Sequence, residues 1–380
     1  MSGAKGKGRV LVAMSGGVDS SVAAALLVDE GYECIGVTMQ LWPENLPVEH
    51  ESGCCSISAV YDARRVANKL GIPYYVLNFA QSFQEQVIDR FAGEYLKGRT
   101  PNPCIVCNEK VKFGTFLQKA RELECDFVAT GHYASVEYDE ARGRYLLLRG
   151  KDRRKDQSYT LYGLTQEQLA HTLLPLGTLE KETTRAIARE LGLVTADKPD
   201  SQEICFVPGG DYRTFMERYA PESVRPGDIV DLDGNVLGRH RGIAFYTVGQ
   251  RKGLGIAHPE PLYVVRLDAK NNRVVVGPKE AVQGVALLAD PVNFVAIPSL
   301  EGPMEVTCKI RYKAEETPAV IEPGPDGGVI TRFEEPERAI TPGQSVVWYD
   351  GDVVVGGGII VKDLKARRPG AAAQAVPAPS

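Results

Sequence analysis

Arg9-Val10-Leu11-Val12-Ala13-Met14-Ser15-Gly16-Gly17-Val18-Asp19-Ser20-Ser21 is the stretch on which the fold turns. Its apolar start reads as a short buried strand. The glycines and serines read as a turn, and the residues through Ala23–Asp29 read as the helix that follows. Two glycines let backbone N–H groups approach an anion closely. The serine hydroxyls, together with the free N–H groups and positive dipole end of the helix, can bind it. The loop lacks the Gly-Lys-Ser/Thr ending of the common nucleotide loop, so it has no lysine of its own for the distal phosphates of a nucleoside triphosphate. Chemistry at the α–β linkage, with release of pyrophosphate, suits it better. The bland alternative is a glycine turn with Asp19 and Ser20 as an N-cap, but the position at a strand-to-helix switch argues against it.

Outward from this loop, short β-branched runs alternate with helical stretches. Cys34–Met39, Ala59–Lys69, Pro73–Leu77, Gln86–Leu96, Phe113–Leu123 and Phe127–Thr130 continue the series. Helical spacing returns at Gln166–Ala170 and Thr183–Leu191, where Gly192 stops the helix. Strands separated by helices of this length predict an α/β fold with a doubly wound parallel sheet. Beyond Pro208 the texture becomes β-rich, with Asp233-Gly234 and Asn271-Asn272 as hairpin turns. From near Val285, the runs Glu305–Ile310, Ala319–Ile321, Val329–Phe333, Ser345–Trp348 and Val353–Ile360 predict a C-terminal β-barrel. The expected division is a nucleotide-binding catalytic domain over 1–208, a small central β-rich domain over 209–284, a barrel over 285–365 and a disordered tail over 366–380.

The chain has 380 residues and is 43% hydrophobic, enough for more than one core. No apolar run approaches the thickness of a bilayer, so no membrane segment is expected. A net charge of −5 disfavours nucleic acid as a partner of the whole surface. Any such contact must use the local clusters Arg149 to Lys155, Arg239 to Arg241, Arg251–Lys252 and Lys309 to Lys313, each of which taken singly is a solvated face.

Eight cysteines, two of them adjacent at Cys54 and Cys55, do not form the framework of a small secreted domain, so a cytoplasmic location is expected. Pro101-Asn102-Pro103-Cys104-Ile105-Val106-Cys107-Asn108 sets two thiols a two-residue gap apart, and its prolines predict an extended segment. Such a pair exchanges disulfides, holds half a zinc site, or is incidental. A third thiol, Cys205, follows Asp200-Ser201-Gln202-Glu203-Ile204 in a stretch that reads as a loop able to close over a site. Cys34, Cys125 and Cys308 read as core residues.

With Ser15–Ser21, Asn102–Lys112 and Ser201–Phe206 in this order, the chain resembles the bacterial tRNA-specific 2-thiouridylases, within the superfamily of pyrophosphate-releasing, adenylating enzymes. Thr130-Gly131-His132-Tyr133, Lys155-Asp156-Gln157-Ser158, Thr247–Gly253, Arg311-Tyr312 and Pro342-Gly343-Gln344 extend the resemblance from about residue 9 to 362. It implies an ATP site, with Mg2+, at Ala13, Met14, Ser15, Gly16, Gly17, Val18, Asp19, Ser20, Met39 and Gly131. It implies that Asn102, Pro103 and Cys104 face the target base, and that His132, Lys155, Asp156, Gln157, Arg311, Tyr312 and Gln344 touch tRNA. Cys205 would carry a persulfide received from an upstream donor, a cysteine desulfurase or sulfur-relay protein, and Cys107 would be the second thiol, its pKa lowered by Lys110 and Lys112. Many relatives have aspartate where this chain has Cys104, and an aspartate is the better base. Cys104, Cys107 and Cys205 alternatively resemble the three ligands of a four-iron, four-sulfur cluster in related thiolases. Competing readings are another adenylating synthetase, a thiolase acting at a different tRNA position, and a non-catalytic nucleotide-sensing, tRNA-binding module.

Overall fold

The computed structural model describes residues 7–43, 56–200 and 204–364. Cys54, Cys55, Ser201 to Glu203 and the tail expected over 366–380 lie outside the described residues.

Five strands build the first sheet. The run Val10 to Val12 is fully buried, as a strand covered on both faces must be. It lies in β1 (Arg9–Ala13), which pairs in parallel with β2 (Glu33–Gln40), and β2 with β3 (Tyr74–Asn78). On its other side β1 pairs with β4 (Phe127–Ala129). The hairpin β5 (Ala134–Asp139) and β6 (Arg144–Arg149) follows, and β7 (Thr172–Leu173) closes the sheet beside β4. The order β3-β2-β1-β4-β7 reverses direction at β1. The crevice beyond the carboxyl ends of β1 and β4 is therefore the switch point where α/β sheets bind ligands. Helix α1 (Val18–Asp29) buries Val22, Ala23 and Ala24 against the sheet, and α2 (Ile57–Leu70) is capped by Ser56 and ended by left-handed Gly71.

The central sheet comprises β8 (Gly227–Val230), β9 (Val236–His240), β10 (Tyr263–Asp268) and β11 (Arg273–Gly277) in the order β10-β11-β8-β9. Both expected hairpins form, but the two are joined by a parallel pairing of β11 with β8. The last six strands are β12 (Gln283–Phe294), β13 (Met304–Lys309), β14 (Thr317–Pro323), β15 (Val329–Arg338), β16 (Ser345–Asp350) and β17 (Val353–Asp363). They pair as β12-β15-β14-β13-β16-β17, and β17 returns to β12, which closes the barrel. Closure removes the sheet edges, and Trp348, fully buried, donates its indole N–H to Thr331 Oγ1 inside.

One element crosses the expected pattern. The β5–β6 hairpin, which belongs to the first half of the sequence, attaches to the barrel at β17, where Leu148 pairs with Val353. Arg149 secures this junction. Its guanidinium lies 3.6 Å from the Tyr349 ring centre and donates to Glu316 at 2.6 Å. A single apolar cluster runs from Phe83 and Phe91 through Cys107, Phe206 and Phe215 to Val274 and Tyr349. Among the described residues no helix is long and apolar enough to cross a membrane.

Candidate functional site at the switch point

Gly17, in extended conformation, begins α1, and no side chain caps it, so the first helical N–H groups are left for another acceptor. Ser20 is not an N-cap, as the bland alternative had it, but shapes the turn: its hydroxyl accepts from Ser15 N–H at 3.1 Å and meets the Gly17 carbonyl at 3.2 Å. Ser21 is fully buried and donates to the same carbonyl at 2.8 Å. Gly16 has φ +70, and a Cβ there would lie 2.2 Å from the Ala59 carbonyl oxygen. Only glycine meets both conditions. Ala13 and Met14 end β1, with Met14 buried, and Met39, near the end of β2, packs on the large apolar cluster. Gly131, just past β4, would place a Cβ 2.7 Å from Ser20 N, so the chain after β4 lies directly on the phosphate loop.

The cysteine segment departs from its expected form. Pro103 does not hold it extended; it is the first residue of a helix, Pro103–Val106, which continues through wide π-type turns over Cys107–Thr115 and then Phe116–Glu122. Proline suits that first position because its missing N–H would have no helical partner there. Asn102 caps the helix by accepting from Cys104 N–H at 3.1 Å. Cys107 is buried and Cys104 is exposed. Cys104 has protein on most sides despite its accessible surface. Burial pushes its thiol up, and Lys112 offsets part of that.

Cys205 is half-buried in a turn, outside any helix or strand. Its neighbour Phe206 is 1% exposed and makes edge contacts with Phe83, Phe91 and Phe215. Cys107 belongs to that apolar cluster and Cys205 packs against it. Cys34, Cys125 and Cys308 are buried, as core thiols are. Burial raises Cys34 to about 11 and Cys308 to about 12. Among the described residues no three His, Cys, Asp or Glu side chains converge into a metal-binding group, so the three thiols do not stand ready as cluster ligands.

Of the residues expected to touch RNA, Asp156 and Tyr312 are bonded to each other, Gln157 holds the backbone next to His132, and Arg311 and Gln344 bond elsewhere. His132 is buried, and its Nδ1 meets Thr130 Oγ1 at 2.6 Å. Burial, with Lys112 adding to it, keeps the ring neutral. Lys112 thus acts on both His132 and Cys104. Tyr312, half-buried, donates to the Asp156 carbonyl at 3.3 Å. Asp156 accepts from the N–H of Gly150 and Ser158, and Gln157 from that of Tyr133. Arg311 reaches the Arg338 carbonyl at 2.6 Å, and Gln344 donates to the Thr100 carbonyl at 2.9 Å, fastening the barrel beside Asn102. The basic cluster Arg149 to Lys155 is extensively paired with acids: Glu316, Glu180, Asp352, Asp152 and Asp200. Arg251, Lys252, Arg311 and Lys313 are exposed.

Sequence reading missed a charge network beside the loop. Lys181, at the start of the helix Lys181–Glu190 and 7% exposed, contacts Asp19 at 2.7 and 2.8 Å and Asp200 at 2.8 Å. Asp200 also takes Lys155 at 2.7 Å and Arg185 at 2.9 Å. Burial alone would raise the Asp200 carboxyl, but Lys155 and Lys181 overcome this and hold it at about 2. Tyr133 donates to Asp19 at 2.8 Å, and Lys198 to the Gly16 carbonyl at 3.1 Å. In the sequence Lys181 is one lysine in a charged helix, with no local motif to single it out.

Comparison with known proteins accounts for nearly the whole chain. Residues 8–209 match the family model described as tRNA methyl transferase HUP domain, 213–278 its PRC-barrel domain, and 285–360 an aminomethyltransferase beta-barrel domain. The chain is 59% identical to the tRNA-specific 2-thiouridylase MnmA of Acetivibrio thermocellus, over 93% of this chain and 99% of that one. It is 58% identical to that of Heliobacterium modesticaldum, over 96% and 95%. With that of Clostridioides difficile it shares 55% identity over 94% and 99%.

Proposed function

The chain belongs to the tRNA-specific 2-thiouridylase family, and from that premise we propose that it uses ATP to place sulfur on C2 of the wobble uridine of tRNA, giving 2-thiouridine, AMP and pyrophosphate. The observation that carries this reading is a pair of adjacent residues. Gly131 abuts the phosphate loop, while His132 shares Lys112 as an electrostatic neighbour with Cys104. Our reading is that a base held at Cys104 meets a nucleotide bound at the start of α1, and these shared neighbours support it.

In the first step the uridine O2 attacks the α-phosphorus, and pyrophosphate leaves. Backbone N–H groups at the start of α1 stabilise the charge on the phosphates, and Mg2+ bound with ATP would share it. The terminal sulfur of a Cys205 persulfide then attacks C2, and AMP departs with the oxygen. The Cys107 thiolate attacks Cys205 Sγ and breaks the persulfide S–S bond. Sulfur remains on C2, and a Cys107–Cys205 disulfide is left for an external dithiol to reduce. An upstream desulfurase or relay protein in the cytoplasm supplies the next persulfide sulfur.

Thiolation of defined tRNA in vitro, with nucleosides read by mass, tests the assignment. Cys107→Ser and Cys205→Ser are each expected to abolish 2-thiouridine while ATP binding persists. A fully active Cys205→Ser enzyme ends this role for it. The cluster alternative has its own assay: anaerobic preparation with iron and sulfide analysis, in which an iron-free enzyme that still thiolates tRNA removes it. A product other than 2-thiouridine would favour a thiolase of a different position.

A further inference from the structure

The phosphate loop has no lysine of its own, yet a step that expels pyrophosphate gathers negative charge on the leaving group. The fold brings an ammonium to the loop from 162 residues beyond Asp19. Lys181 Nζ sits against Asp19, the second residue of α1, where the first helical N–H groups point outward. An ammonium has three N–H donors. Here two meet the oxygens of Asp19 and the third meets Asp200 Oδ1.

A phosphate oxygen can therefore join Lys181 only by displacing a carboxylate. The two carboxylates are not equally replaceable. Besides Lys181, Asp19 accepts from the Tyr133 hydroxyl, and Tyr133 also meets Thr184 at 3.0 Å. Asp200 keeps two further cations, Lys155 and Arg185, when Lys181 leaves it. Losing one of three cationic partners leaves no stranded charge, whereas removing Lys181 from Asp19 leaves a carboxylate at the place the phosphates approach.

We propose that Lys181 is the phosphate-binding cation that the loop itself lacks, and that Asp200 is the placeholder it exchanges for the β- or γ-phosphate of ATP. This deepens the ATP reading and rests on it. Lys198 is the rival ammonium, since it bonds the Gly16 carbonyl, but it pairs with Asp62 of α2 rather than with Asp19 at the start of α1.

The test compares binding of α,β-methylene-ATP and AMP by calorimetry on the full chain without tRNA. Lys181→Met is expected to weaken the triphosphate analogue about tenfold or more while AMP binding holds, the size of a lost charge-assisted contact. Asp200→Asn is expected to tighten the triphosphate analogue several-fold and leave AMP unchanged, because it removes the competitor. A purely structural role for the network predicts losses for both ligands in both variants, and that result overturns the proposal. So does selective loss of the triphosphate in Lys198→Met but not in Lys181→Met. If Lys181→Met does not fold, Asp200→Asn decides alone: unchanged or weaker triphosphate binding refutes the exchange. If the wild-type chain binds neither nucleotide, the ATP reading fails first and takes this one with it.

Discussion

At Cys104 this protein carries a thiol where the family resemblance led to an aspartate being weighed as the base. Burial pushes the thiol up and Lys112 only partly reverses it, so Cys104 is protonated at neutral pH. An aspartate is ionised above about pH 4. Cys104→Asp is therefore expected to move the rising limb of the thiolation pH profile to lower pH in single-turnover assays, and superimposable profiles would show that position 104 moves no proton. Asp200 makes a stability claim of opposite character. Its folded pKa, about 2, lies below the ordinary 3.8, so its stabilisation is present above pH 4 and is lost as pH falls toward 2. That corresponds to about 2 kcal/mol at neutral pH. Asp200→Asn should lower the melting temperature at pH 7, with the gap closing below pH 4. Lower stability with tighter triphosphate binding would be the mark of a residue kept for exchange.

The elements that hold the site differ in how plainly the sequence announces them. The strand, glycine turn and helix over 9–29 were legible because hydrophobic runs, glycines and helical spacing all act within a few residues. The Cys104 helix was misread because proline was taken as a breaker, while its position decides its effect: at the first helical residue, behind Asn102, it favours the helix. Gly131 was named only through resemblance, and the structure supplies its reason. A Cβ there meets Asp19 C and Ser20 N, both at 2.7 Å. Gly131→Ala is expected to push the start of α1 aside and weaken ATP binding at least tenfold, with the far-ultraviolet dichroism of the sheets intact; wild-type affinity would show that the loop tolerates the shift.

Across the whole molecule, the barrel acts as one wall of the site. Gln344 reaches Thr100, Thr100 N–H donates to the Pro342 carbonyl at 2.9 Å, and a Cβ on Gly343 would collide with Thr100. The β5–β6 hairpin joins the two units through Arg149, whose side chain is 5% exposed while Glu316 is 36% exposed. Arg149→Ala removes the cation, its stacking on Tyr349 and its bond to the Gly351 carbonyl. A loss of about 2 kcal/mol in denaturant unfolding is expected, below that of a fully buried pair because water reaches the glutamate. Thiolation should fall further than ATP binding, since Tyr349, on which Arg149 stacks, meets Ser158 next to Asp156 and Gln157, two of the expected RNA contacts. Equal losses of both would place the barrel's influence on the nucleotide loop instead.

The amino-acid sequence by itself determined the parallel sheet, the phosphate loop at its switch, the β-rich remainder and the buried character of Cys34, Cys125 and Cys308. These follow from periodicity, turn chemistry and hydrophobicity, which are local. Only the tertiary structure decided that β5–β6 joins the barrel, that Gly131 packs on the phosphate loop, and that Lys181 stands between Asp19 and Asp200. Contacts between residues far apart in the chain leave no spacing signal. They exist because the packed apolar cluster brings their backbones together, and a buried charge then settles on whichever partners the packing provides.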